Sequence, residues 1–208
     1  MLLTRLAICF CTAFLPTAEN GGQSNDQILP ESLRGLPLQK IKLYQNAIVA
    51  KLETETLING FPCAAGYVHF TPSGHVKTFF LAKETVIQNN IIPRNTWVEL
   101  NEEFNLKRCS FPRDTIIQGY LCRGGSGGAK GIRTWFYPSG KLEGFFAPKN
   151  IVVNNIPCKS SVFHPVYLYE NGSLKECTLA RDTIIGGKSF PKGTKIILDH
   201  TGEVVTSK

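Results

Sequence analysis

Chemistry in this chain would have to come from seven cysteines, four histidines, a glycine-rich run and a series of basic residues. Cys9 and Cys11 lie in an apolar N-terminal stretch, while Cys63, Cys109, Cys122, Cys158 and Cys177 are spread over the rest. A thiol acts as nucleophile or metal ligand only as thiolate, in an electropositive and partly exposed setting. No CxxC pair occurs and no cysteine has a histidine at metal-ligand spacing, so the zinc pattern is missing. In the aligned blocks described below, cysteine shares one position with phenylalanine (Phe79, Cys109, Phe145, Cys177), which is how a small buried hydrophobe behaves. Free structural cysteines are expected, with a disulfide such as Cys158 to Cys177 as the alternative. Cys109 and Cys177 stand two repeats apart, beyond the roughly 7 Å between Cα atoms that a bridge spans.

His69 and His75 flank one turn, and His164 and His200 lie near others; the spacing does not recur, which favours surface histidines over a metal site. The run GGSGGAKG lacks the Gly-Lys-Ser/Thr ending of a phosphate cradle, because Lys130 stands between Ala129 and Gly131, and no apolar helix follows. It reads as a flexible insertion over residues 123–131, a contact loop with positive charge from Arg123, Lys130 and Arg133. No Ser/His/Asp, Cys/His or paired-carboxylate set converges at readable spacing. The sequence therefore points away from an enzyme and calls for no cofactor and no metal.

What positions these residues is a repeat. LKRCSFPRDTII from Leu106 returns as LKECTLARDTII from Leu174, and VKTFFLAKETVI from Val76 and LEGFFAPKNIVV from Leu142 fall in the same register. The steps of 30, 36 and 32 residues signal an array, the longest being stretched by the glycine-rich insertion. A degenerate copy starts at Ile41. Turn signals ending at Gly74, Gly140, Gly172 and Gly202 precede the blocks, as hairpins require. One copy has Phe104 in place of the glycine, which predicts a turn built differently. Four residues before each turn residue stand Phe70, Leu100, Phe136, Leu168 and Leu198, and two after it Val76, Leu106, Leu142, Leu174 and Val204. Polar residues interleave, so these ten are predicted core columns of half-buried strands. Ile87, Ile117, Val153 and Ile185 form a further column, in a short third strand closing each unit.

Two surface rows follow from the register. Lys83, Arg113, Lys149 and Arg181 would recur at roughly 10 Å, two strand spacings, and would suit an anionic polymer or membrane surface. Glu84, Asp114 and Asp182 beside them favour instead a neutral, salt-bridged edge. Trp135 and Tyr167 fall on the face opposite Phe136 and Leu168, either as an exposed aromatic row for protein or glycan or packed against a second sheet.

YENGSLK from Tyr169 and YPSGKLE from Tyr137 resemble the hairpin signature of variant MORN repeats, unevenly over residues 41–208. The resemblance implies an all-β chain of tandem antiparallel hairpins in an elongated sheet, with a scaffolding or binding role. Some proteins with such repeats are placed with toxin-antitoxin systems, and some MORN arrays bind membranes or partner proteins. Units near 30 residues are longer than usual for that family, and the added strand leaves an elongated sheet, a roll and a solenoid all open. No binding residue carries over.

The remaining organisation is an export signal over residues 1–18, a polar linker over 19–40 and the β-repeat domain over 41–208, about five units with the last truncated. The apolar run Leu6 to Leu15 is about half the length of a membrane span, and Pro16 follows it; a buried N-terminal helix is the other reading. Neither Cys9 nor Cys11 sits in a good lipobox, so lipid anchoring is disfavoured. The formal charge of +7 suits a protein, glycan or anionic envelope partner rather than nucleic acid. The expected function is an exported, non-enzymatic binding or scaffold protein, with an antitoxin-like inhibitor as the alternative.

Overall fold

Long and short hairpins alternate along the chain in the computed structural model, which describes residues 29–125 and 131–208. The expected export signal, Lys130 and the start of the expected linker lie outside the described residues. The first long pair is β1 (Leu38–Tyr44) and β2 (Ala47–Leu52), and the first short pair β3 (Thr56–Ile58) and β4 (Phe61–Cys63). Next come β5 (Gly66–Phe70) with β6 (Val76–Phe80), then the short β7 (Thr85–Ile87) and β8 (Asn90–Ile92). The third set is β9 (Trp97–Leu100), β10 (Leu106–Ser110), β11 (Thr115–Ile117) and β12 (Tyr120–Cys122). The fourth is β13 (Thr134–Phe136), β14 (Leu142–Phe145), β15 (Ile151–Val153) and β16 (Ile156–Cys158). The fifth is β17 (Val166–Leu168), β18 (Leu174–Thr178), β19 (Thr183–Ile185) and β20 (Lys188–Phe190), and the long pair β21 (Lys195–Leu198) and β22 (Val204–Ser207) follows.

All long strands join in chain order into one twelve-stranded antiparallel sheet, and each short pair is a separate two-stranded ribbon. Every ribbon leaves from the same end of the sheet, after the second strand of a long hairpin. The described architecture is thus an elongated sheet with a row of ribbons over one face, and each unit has two short strands, not the one expected.

Turn chemistry accounts for both hairpin types. In the long ones Gly74, Gly140, Gly172 and Gly202 take φ between +81° and +89°, closing a turn in which Gly74, for example, donates to the Thr71 carbonyl at 2.9 Å. The turn with Phe104 is built the same way, contrary to expectation: Phe104 adopts φ +62° and donates to the Asn101 carbonyl at 3.2 Å. The Asn101 side chain enforces that shape by accepting from the N–H groups of Glu103 and Asn105, at 3.0 and 2.9 Å. The ribbons use two-residue turns with both residues at positive φ: Asn59-Gly60, Gln88-Asn89, Gln118-Gly119, Asn154-Asn155 and Gly186-Gly187. This geometry matches the right-handed twist of the strands it joins.

The core fills the space between sheet and ribbons. The two predicted columns face each other across the hairpins, as Phe70↔Val76, Leu100↔Leu106, Phe136↔Leu142, Leu168↔Leu174 and Leu198↔Val204. All are buried except Val204, which is half-buried on the edge strand β22. From the ribbon side Ile58, Ile87, Ile117 and Val153 complete the interior, with Ile185 half-buried in β19. The stretch expected as linker joins the fold from Leu29 on: Leu29 and Leu33 are buried, Leu33 in a 3-10 turn over Glu31–Leu33, and β1 starts at Leu38. The physical reason is Gly74, whose missing side chain leaves room for Pro30 and Ser32, atoms of which a Cβ there would meet at 2.8 and 2.3 Å.

Candidate functional site

Three surfaces and one set of buried thiols hold the residues with functional potential. The first surface is the outer side of the ribbon row. The middle residue of each first ribbon strand alternates away from the core, as the two-residue side-chain period demands. Leu57, Val86, Ile116, Val152 and Ile184 therefore all point to solvent, each 62 to 73% exposed. Large aliphatic side chains at the same place in every unit form an apolar ladder. The sequence reading singled out their inward neighbours Ile87, Ile117, Val153 and Ile185 and missed this row. Period-two alternation across Thr-Ile-Ile was the signal that held it.

Three residues before four of these positions stand Lys83, Arg113, Lys149 and Arg181, all exposed. None of the four takes part in an ion pair among the described residues, whose salt bridges are Arg94–Glu55, Lys107–Glu99, Arg108–Glu99 and Lys195–Glu176. Their acidic or amide neighbours close turns: Asp114 accepts from the Gly124 N–H at 2.9 Å, Asn150 from Ser160 at 2.7 Å and Asp182 from Lys192 at 2.7 Å. The sequence pairs Lys/Arg with an acid for a local reason. The acid orders the backbone and the cation points outward. Across segments 83–95, 113–124, 149–160 and 181–193, Glu84, Asp114 and Asp182 are the only acids among many Lys and Arg.

The second surface is the uncovered face of the sheet. One row of paired residues crosses it as Thr78, Glu99, Arg108, Trp135, Gly144, Tyr167 and Glu176. Trp135 and Tyr167 do face away from the core, but they are half-buried, with ring centroids 5.9 Å apart, and Trp135 also packs 5.7 Å from Phe146. Gly144, paired to both, makes this possible; a Cβ there would lie 2.6 Å from the Tyr167 ring. Arg133 stacks 4.2 Å over Trp97, and Arg123 reaches into the next unit to donate to the Ala147 and Pro148 carbonyls at 3.1 Å. Arg123, expected to lend charge to the glycine-rich insertion, is thus held by the fourth unit, and residues 126–130 of that insertion lie outside the described residues. Lys130 lies outside the described residues.

The third surface is a cleft of about 520 Å³ at the turn end of the long hairpins, walled by residues of the β1–β2, β5–β6 and β9–β10 connections. His75 and Phe104 stand in its wall with ring centroids 4.8 Å apart. His69 is elsewhere, paired with Val49 and Thr78 in the sheet. Among the described residues no group of three or more His, Cys, Asp or Glu is arranged to hold a metal ion.

Cys63, Cys109, Cys122, Cys158 and Cys177 are all free and buried. Burial pushes Cys63 and Cys122 up to about 12 and raises Cys109 well above the ordinary thiol range. Cys158 and Cys177, the pair considered for a disulfide, are neighbours in the core and unbonded; a hydrogen bond shared with Cys158, together with burial, raises the Cys177 thiol. Thiols held protonated in this way are inert as nucleophiles.

No family model, curated protein or solved structure matches this chain. Function has to be argued from its own surfaces. Among the described residues no helix is long and apolar enough to cross a membrane.

Proposed function

We propose that this chain is an exported, non-enzymatic binding scaffold of MORN-like repeats, and that its working face is the outer side of the ribbon row. The observation that carries this reading is the exposed ladder of Leu57, Val86, Ile116, Val152 and Ile184 beside the cations Lys83, Arg113, Lys149 and Arg181. A repeated contact suits an extended partner, because each unit adds the same increment and the increments act together as avidity. In four of the five units the increment is one aliphatic side chain next to one cation; at Leu57 the equivalent position is Thr54, with Glu55 beside it. The matching partner is an anionic envelope surface that also takes up apolar groups, as a bilayer with acidic headgroups does. Burying one ladder side chain contributes about 1 kcal/mol or more, and each nearby cation about 1 kcal/mol at an acidic lipid surface. A second copy packed ladder to ladder is disfavoured, because it would bring two basic rows together.

Sedimentation with vesicles tests the proposal. The protein is expected to pellet with phosphatidylglycerol-containing vesicles, less so as salt is raised, and hardly with neutral phosphatidylcholine. The triple variant Val86→Ser, Ile116→Ser, Val152→Ser should lose binding while unfolding at an unchanged urea midpoint, since those side chains are already in water. Equal binding by that variant, or none by the native chain, would sink the reading.

A further inference from the structure

The cleft at the turn end of the long hairpins is built around an anomaly. Four sister turns place glycine at the left-handed position, and here Phe104 occupies it at φ +62°. A bulky residue persists in that conformation only when its surroundings hold it there. The Asn101 carboxamide, accepting from two turn N–H groups, does so from one side. From the other, the Phe104 ring leans on His75 at an interplanar angle of 59°. His75 is itself fixed: its Nδ1 lies 3.0 Å from Ser73 Oγ, which is 2.8 Å from Thr71 Oγ1. The outcome is a partly exposed aromatic wall, 38% exposed at Phe104, set by a network rather than by burial.

The rest of the lining is polar. The side chains of Asn46, Lys77 and Glu102 line the cleft and make no hydrogen bond or ion pair among the described residues. An amide, an ammonium and a carboxylate within one cleft offer both donors and acceptors, and the Lys77 and Glu102 charges oppose each other. A hydroxyl both donates and accepts, so vicinal hydroxyls suit this set, whereas an anion would meet Glu102 and a cation Lys77. The volume, about 520 Å³, falls within the usual range for small-molecule sites.

We propose that this cleft binds a neutral saccharide of mono- or disaccharide size, with the C–H face of the sugar on Phe104 and its hydroxyls on Asn46, Lys77 and Glu102. The site is separate from the ribbon ladder and does not depend on the surface reading above.

Amide NMR spectra of the full chain decide it. The titrants are glucose, galactose, mannose, N-acetylglucosamine and lactose, with glucuronate and inorganic phosphate as charged probes. At least one neutral sugar is expected to give saturable shifts at the amides of Asn46, His75, Lys77 and Phe104, with the charged probes giving none there. Phe104→Gly restores the residue the sister turns use and keeps the turn; it should weaken binding at least about tenfold, an equilibrium change far outside titration error. Glu102→Ala, at an exposed position, should weaken it likewise. The proposal is overturned if no neutral sugar in the panel shifts these amides, if glucuronate or phosphate shifts them more strongly, or if both variants titrate like the native chain.

Discussion

Among the described residues Glu99 is the carboxylate whose environment departs furthest from water. Its side chain is 7% exposed in the middle of the open face, with Lys107 Nζ at 3.2 Å and Arg108 Nε at 2.5 Å. Burial alone raises the Glu99 carboxyl, but the hydrogen bonds and charges of Arg108 and Lys107 outweigh it and hold the group below the ordinary carboxylate range. A depressed folded-state pKa means that the stabilisation is complete above the unfolded value and disappears as pH falls through the folded one. Urea midpoints should therefore decline on acidification below the ordinary carboxylate range. In Glu99→Gln that decline should be shallower, with about 1 to 2 kcal/mol already lost at neutral pH. A pH profile parallel to the native one would refute the assignment. Phe104 is the residue-scale counterexample: its left-handed backbone costs about 1 kcal/mol, and contact with His75 offsets it.

At the scale of elements, what ties ribbon to sheet is a recurring side-chain hydrogen bond. Asn59, Gln88, Gln118 and Asn154, each the first residue of a ribbon turn, accept from the N–H groups of Val76, Leu106, Leu142 and Leu174 at 3.0, 2.8, 3.1 and 2.7 Å. Those N–H groups sit at the start of the second long strand, where the bulge beside the turn interrupts the ladder. At Asn59 and Asn154 the turn conformation and the clamp share one cause, since a left-handed φ is what Asn tolerates best after Gly, whereas Gln88 and Gln118 adopt it at φ +46° and +48°. The fifth ribbon has Gly186 at this position, with no side chain to reach the N–H of Val204. Asn154→Ala should cost about 1 to 2 kcal/mol by leaving a part-buried donor unpaired. Gly186→Asn, at φ +56° with open space around the would-be Cβ, should add about 0.5 to 1 kcal/mol. Urea unfolding of the two variants checks both signs.

Over the whole molecule, each unit touches chiefly its neighbours, so stability is expected to vary along the array. Tyr137 and Tyr169 knit successive long hairpins by donating to the carbonyls of Leu168 and Leu198 at 2.9 and 2.7 Å. Arg123 does the same between the third and fourth units. Where the described chain ends, Ile185, Phe190 and Val204 are only half-buried, in positions that neighbours cover elsewhere. Hydrogen exchange should be slowest in β6, β9 and β10 and fastest in β19 to β22. Uniform protection would show a single cooperative unit instead of an array.

The repeat, its turns and its ten core positions were readable because each depends on near neighbours: a glycine at a turn, and apolar side chains alternating with polar ones on either side of it. The ribbon turns are equally local, as Asn-Gly, Gln-Gly and Gly-Gly, each dividing two short strands. Other features could not be read this way. Whether Ile116 or Ile117 is the buried one, why Trp135 and Tyr167 close over Gly144, and why Arg123 reaches into the fourth unit all depend on residues tens of positions away. Period-two alternation says that two faces exist; only the packed chain decides which face the ribbons cover, and hence which side chains meet the solvent.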